Sequence, residues 1–144
     1  AVNISYMVLP EEMARLFSSM AQDYSQTCSK LEQLTLAMFM ESGHYQTHIK
    51  KLRKLYSQKL SAVTDTFAEK ASDFVTVKNT SSGISVILNV KSRKTTEELK
   101  KDAEQLGIPA VPHPKEGLLA LYYNQIPLVE IPRLFRPLIE KWRS

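Results

Sequence analysis

Gly43-His44-Tyr45-Gln46-Thr47-His48-Ile49-Lys50-Lys51-Leu52-Arg53-Lys54-Leu55-Tyr56 opens the stretch whose periodicity leaves least choice. Tyr45, Ile49, Leu52, Tyr56, Leu60, Val63 and Phe67 recur every three or four residues, the spacing that lines one face of an α-helix. No proline or glycine interrupts Tyr45 to Ala71. The pattern predicts one helix of roughly 35–40 Å at about 1.5 Å per residue, a length that commonly crosses between two lobes. Gly43 separates it from whatever precedes.

Upstream, residues 4–9 are apolar and β-prone, and Pro10-Glu11-Glu12 is a helix start. Met13, Leu16, Phe17 and Met20 then recur at helical spacing, until the polar stretch around Asp23–Ser25 breaks the pattern. A second helix is expected from about Thr27 to Ser42, with Leu31, Leu34 and Met38 on one face. Leu36, Phe39 and Met40 widen its apolar surface, so burial on more than one side is expected.

After residue 72 the period changes. Phe74–Lys78 and Ile84–Val90 read as strands joined by a hairpin loop at residues 79–83. Thr95 to Glu98 is a capping-box pattern, predicting a helix over Glu97–Leu106 closed by Gly107. Ile108–Pro112 and Leu118–Tyr123 read as two further short strands around a Pro-His-Pro turn. The last helix places Ile131, Leu134, Phe135, Leu138 and Trp142 on one stripe; Pro132 suits its first turn, whereas Pro137 costs a backbone bond and should bend it. The expected class is α+β: N-terminal helices including one long helix, then a small sheet of about four strands with two helices packed on one face.

The 144 residues suffice for one domain or two small packed lobes, and 43% apolar with 24% charged residues is an ordinary globular balance. No apolar run approaches the roughly 20 residues that span a bilayer. Residues 1–10 lack the basic leader and small-residue cleavage site of a signal peptide. A single cysteine, Cys28, excludes an internal disulfide and fits a reducing compartment. The expected location is the cytoplasm, with no membrane partner. The net charge of +4 is concentrated in Lys50, Lys51, Arg53 and Lys54. With no aromatic side chains interleaved to stack bases, that run reads as a solvated helix face rather than a DNA reader.

The candidates for chemistry are few. His44 and His48 have the i, i+4 spacing of a zinc-binding helix but lack the adjacent glutamate of a metalloprotease, and packing and capping explain them better. Cys28 or His113 could add a third ligand only through tertiary contact. Cys28 also lacks the flanking sequence of a nucleophile elbow, so a small, partly buried thiol is the simpler reading. Glu97, Glu98 and Asp102 suit the start and face of one helix. Gly43, Gly83, Gly107 and Gly117 are scattered singly, so there is no phosphate-cradling loop. Residue types and spacing nominate no catalytic, cofactor-binding or metal residue.

The segment Gly43–Tyr56 also closely resembles the "GHY-x-x-HIRRMR-x-x-Y" signature of the MocR group of GntR-family bacterial transcription regulators. Gly83–Val90, Thr95–Leu106 and Gly107–Pro112 resemble that group's "GLHLLLEL … SEEEL … ARERGVRVYP" segment. Ile4–Pro10 looks like the strand that follows its cofactor-bearing lysine. The resemblance implies a winged helix-turn-helix DNA-binding domain joined to a class I/II aminotransferase fold that binds pyridoxal 5′-phosphate (PLP) and an amino-acid or vitamer effector. It implies that residues 1–42 belong to or contact the large domain and that residues 43–144 form the small C-terminal domain. The Schiff-base lysine would precede residue 1, so no cofactor site is implied within this stretch. PLP, the large domain and the winged helix would belong to the longer parent, a homodimer meeting DNA only through its missing domain.

Two departures stand out. Asn3 occupies the position of the arginine that holds the cofactor phosphate in the family. Leu118–Tyr123 lacks the arginine that commonly binds the substrate carboxylate in aminotransferases, and Arg133 and Arg136 come later, on the last helix. The alternatives are the same region of a free-standing class I aminotransferase and a stand-alone interaction module dimerising through residues 4–40.

Overall fold

The computed structural model describes residues 4–20, 28–79, 83–113 and 117–144. They divide into two units, Ala1–His48 and Ile49–Ser144, with the boundary inside a long helix. The first unit holds α1 (Glu11–Met20), α2 (Lys30–Glu41) and the start of α3 (His44–Ala71). The strand expected at residues 4–9 is not formed; these residues carry no regular structure. β-prone residues make a strand only when a neighbouring edge takes their backbone bonds, and here Tyr6, Met7 and Val8 lie exposed. The expectation of a doubly buried second helix is also corrected, since α2 has no buried residue and Leu31, Leu34 and Met38 are 74%, 64% and 69% exposed. The break expected around Asp23–Ser25 lies outside the described residues.

The second unit is built on β1 (Val75–Asn79), β2 (Ser85–Val90), β3 (Ala110–Pro112) and β4 (Leu118–Tyr122), an antiparallel sheet in the order β1-β2-β4-β3. Register explains its single buried face. Val86 pairs with Leu121 and Leu88 with Leu119, while Ala110 pairs with Leu121 from the other side. All five are buried, and the intervening residues of β2 and β4 are not, as the two-residue alternation of a strand requires. A register shift between Val77 and Asn79 marks an irregularity at the end of β1, and the loop expected at residues 79–83 lies partly outside the described residues.

Two helices, α4 (Thr96–Gln105) and α5 (Ile131–Arg143), cover that face, with the second half of α3 added to the same core. Phe67 of α3 meets Phe135 edge-to-face at 5.6 Å and stacks on Trp142 at 6.3 Å, so α3 and α5 share one aromatic contact. A short 3-10 turn, Leu128–Glu130, leads into α5, and Pro132 sits in its first turn. Helix α5 continues through Pro137 to Arg143. Pro137 and Arg133, whose carbonyl loses its helical donor, are both exposed, so water can take that bond.

Helix α4 shows how local chemistry sets boundaries. The Thr95 hydroxyl accepts from the Glu98 N–H at 3.3 Å, and the Glu98 carboxylate accepts from the Thr95 N–H at 2.7 Å. At the other end Gly107 N–H donates to Glu104 and Ile108 N–H to Ala103, a Schellman closure. Gly107 sits at φ 74°, in the left-handed region that a side chain disfavours. Thr95→Ala should cost about 1 kcal/mol in urea unfolding.

The same cap carries a pH signature. The Thr95 N–H, then its hydroxyl, holds the Glu98 carboxyl below the usual glutamate range. A carboxyl lowered in the folded state stabilises at pH above its unfolded value, and that contribution disappears as pH falls through the folded value. Wild-type stability should therefore drop more steeply in acid than that of Glu98→Gln, which keeps the cap without the charge. Parallel urea curves at every pH for the two proteins would contradict this.

Candidate functional site

At the start of α3 the chain reverses over Gly43, at φ 77°, with its N–H on the Met40 carbonyl at 3.1 Å. Three rings then gather around Phe39 of α2. His44 stacks on it at 6.3 Å and 16°, Tyr45 meets it edge-on at 6.2 Å, and His48 lies tilted at 6.5 Å. His44 Nδ1 also hydrogen-bonds the Ser42 hydroxyl at 2.7 Å. The i, i+4 spacing does bring the two imidazoles to one face, and that face meets an aromatic ring. Among the described residues no group of three or more His, Cys, Asp or Glu could hold a metal. Cys28 is half-buried, with its thiol 3.9 Å from the Ser29 carbonyl.

The remaining charged candidates have ordinary partners. Lys50, Lys51, Arg53 and Lys54 are all exposed, while Ile49, Leu52 and Tyr56 on the other face are half-buried. Glu97 lies 3.9 Å from Lys100, Asp102 pairs with Lys94 at 2.9 Å, and Arg133 pairs with Glu130 at 3.1 Å. Arg136 is exposed on α5.

Two features of the second unit escape a reading by residue type. Lys59 is only 6% exposed. Its ammonium donates to the Asn124 carbonyl at 2.7 Å and lies 5.7 Å from the centre of the Tyr56 ring. A carbonyl dipole and a π face compensate its lost hydration in place of a carboxylate. The contact ties the turn after β4 to α3. Tyr123 is fully buried beside this turn, and burial, followed by the nearby Tyr56, pushes its phenol pKa up. The signal for Lys59 was its place on the helical stripe, between Tyr56 and Val63.

The second feature is a cavity of about 370 Å³ where the loop after β2 meets the end of α5. Lys91, Ser92, Arg93 and Lys94 line one side, and Asp73, Phe74 and Arg143 line the other. Arg143 is firmly held. It bridges both oxygens of Asp73 at 2.6 and 3.0 Å, donates to the Lys70 carbonyl at 2.7 Å, and lies over the Phe74 ring at 4.7 Å. The Arg143 hydrogen bond holds the Asp73 carboxyl below the usual aspartate range. Ser92 donates to the Trp142 carbonyl at 3.2 Å, and the Lys94 ammonium reaches both Asp102 and the Lys141 carbonyl. These contacts satisfy the last carbonyls of α5, where cations are favoured.

No protein-family model matches the chain. Among curated proteins it is 28% identical to the uncharacterized HTH-type transcriptional regulator YdeL of Bacillus subtilis, over 99% of this chain and 32% of YdeL. It is 28% identical to the HTH-type regulator YhdI of the same organism, over 78% of this chain and 24% of YhdI. It is 22% identical to a probable rhizopine catabolism regulatory protein of Rhizobium meliloti, MocR, over 75% of this chain and 22% of MocR. Its homologues are HTH-type and MocR transcriptional regulators. The chain spans about a third or less of the length of these regulators.

Solved structures place the fold. The α-aminoadipate aminotransferase LysN of Thermus thermophilus, complexed with N-(5′-phosphopyridoxyl)-L-leucine, matches with a TM-score of 0.71 at 19% identity, over 92% of this chain and 35% of LysN. The kynurenine aminotransferase of Pyrococcus horikoshii matches with a TM-score of 0.68 at 16% identity, over 93% and 36%. The fold is thus that of an aminotransferase segment carried by a relative of transcription regulators.

Aminotransferase folds raise the question of a pyridoxal group. Such a group requires a lysine amine for its imine and donors around its phosphate. The buried lysine, Lys59, is committed to Asn124 and Tyr56. Residues 118–123 offer Leu, Leu, Ala, Leu, Tyr and Tyr, with no cation for an acidic group. Neither Lys59 nor residues 118–123 supply those groups. Asn3, the position compared with the phosphate-holding arginine, lies outside the described residues.

Proposed function

We propose that this chain is the C-terminal, small-domain portion of a longer cytoplasmic MocR-type transcription regulator. In this reading the longer protein binds PLP and an amino-acid or vitamer effector in its aminotransferase-like module. Residues 43–144 cap the cofactor cleft, and residues 1–42 contact the large domain. The chain also supports a homodimer and passes the effector response to a winged-helix half that binds DNA. The observation that carries the reading is the pairing of regulator relatives with an aminotransferase fold over only about a third of each longer protein.

A second reading, part of a free-standing aminotransferase, has the same fold in its favour. The absence of arginine from residues 118–123 weighs against it, because a substrate carboxylate is commonly held by a bidentate guanidinium. A stand-alone interaction module is the third reading, and the exposed apolar residues of α1 and α2 favour it.

Incubation of the chain with PLP, followed by borohydride reduction and peptide mapping, tests the assignment. The expected result is scattered labelling of surface lysines without a stoichiometric adduct. One lysine of this chain trapped in full would contradict the proposal that the cofactor lysine lies elsewhere in a longer polypeptide.

A further inference from the structure

We propose that the cavity between the loop after β2 and the end of α5 is a binding site for a compact small-molecule dianion, such as a phosphate ester or a dicarboxylate. The simplest account of its basic residues is helix capping, and it explains two of the four. Lys94 is neutralised by Asp102 and serves the Lys141 carbonyl, and Arg143 is neutralised by Asp73. Lys91 and Arg93 remain. Both are exposed and line the cavity, and neither side chain has an ion-pair or hydrogen-bond partner among the described residues. The cavity therefore holds two cationic side chains with no side-chain partner among the described residues, beside two paired ones, with Ser144 also in its lining.

The loop bearing them is fixed. The Lys91 N–H donates to the Phe74 carbonyl at 2.7 Å. The Ser92 hydroxyl accepts from the Lys94 N–H at 3.2 Å while donating to α5. Lys91 and Arg93 thus project from a loop pinned on either side, which lowers the ordering cost of a ligand. A volume of about 370 Å³ admits a small molecule. The guanidinium of Arg93 matches two oxygens of one acidic group, and the Lys91 ammonium supplies a point charge for the other. The concave shape favours a small ligand over a nucleic-acid backbone, which the exposed row at Lys50–Lys54 would meet more readily.

The test is a titration of the full 144-residue chain at low salt with inorganic pyrophosphate, succinate and a short DNA duplex, followed by amide NMR. Saturable shifts confined to residues 73–74, 91–94 and 142–144 are expected with pyrophosphate or succinate, and the stronger of the two identifies the acidic group. Lys91→Ala/Arg93→Ala should weaken that binding by tenfold or more, about 1.4 kcal/mol, with its unfolding curve unchanged. Lys50→Ala/Lys51→Ala should leave it intact. Linear, unsaturated shifts, equal responses along residues 50–54, or saturation only by DNA would overturn the proposal.

Discussion

Trp142→Ala is expected to destabilise residues 49–144 by about 3–5 kcal/mol, the usual cost of truncating a buried tryptophan. Its side chain is 1% exposed, stacks on Phe67 of α3 at 15° between planes, and donates from Nε1 to the Leu99 carbonyl of α4 at 3.2 Å. One residue of α5 thus joins the three helices that cover the sheet. Domains of this size are stable by only about 5–15 kcal/mol, so the variant loses a large share of its margin. The melting temperature should fall by at least about 12 °C. Trp142→Phe keeps much of the ring contact and gives up the Leu99 bond, so its loss should be much smaller. Circular dichroism melts of both variants check this, since the chain has a single tryptophan and loses its fluorescence probe. A shift of only a few degrees for the alanine variant would show that the three helices are held elsewhere.

The second large effect concerns association. Met13, Leu16, Phe17 and Met20 of α1 and Leu31, Leu34 and Met38 of α2 are all exposed. Each helix thus presents its own exposed apolar stripe, and exposed apolar stripes of this kind lead to association. The isolated chain is expected to self-associate as its concentration rises in size-exclusion chromatography. Leu34 and Met38 stand four residues apart on one helix face, so Leu34→Glu/Met38→Glu should disrupt that surface. Removing two anchors should weaken association by tenfold or more, since central apolar contacts carry most of an interface's energy. A wild-type chain that stays monomeric at high concentration, or a double variant that associates equally, would contradict the expectation.

What the sequence disclosed divides along physical lines. The elements written in local chemistry were legible: Thr95 and Glu98 fixed one end of α4, Gly107 the other, and the unbroken period from Tyr45 to Ala71 foretold α3. The β-rich run Ile84–Val90 likewise foretold β2, though not which of its residues are buried. Features that depend on distant partners were not legible. Residues 4–9 are β-prone, yet a strand needs an edge to pair with. Helix α2 carries apolar residues all round, but burial depends on what packs against them. The cavity draws residues from 73–74, 91–94 and 142–144, which only tertiary structure brings together. His44 and His48 share a face as spacing implied, but Phe39 as their common neighbour became visible only with the turn at Gly43 in place.

The central claim is that a longer regulator uses this chain as the small domain of its aminotransferase-like half. The most direct measurement is the mass of the native gene product, with peptide sequencing of whatever precedes Ala1. The account predicts a long extension containing a winged-helix segment and a lysine in a Ser-x-x-Lys context. A native product no larger than these 144 residues, or one extended by an aminotransferase large domain without a winged helix, would contradict it.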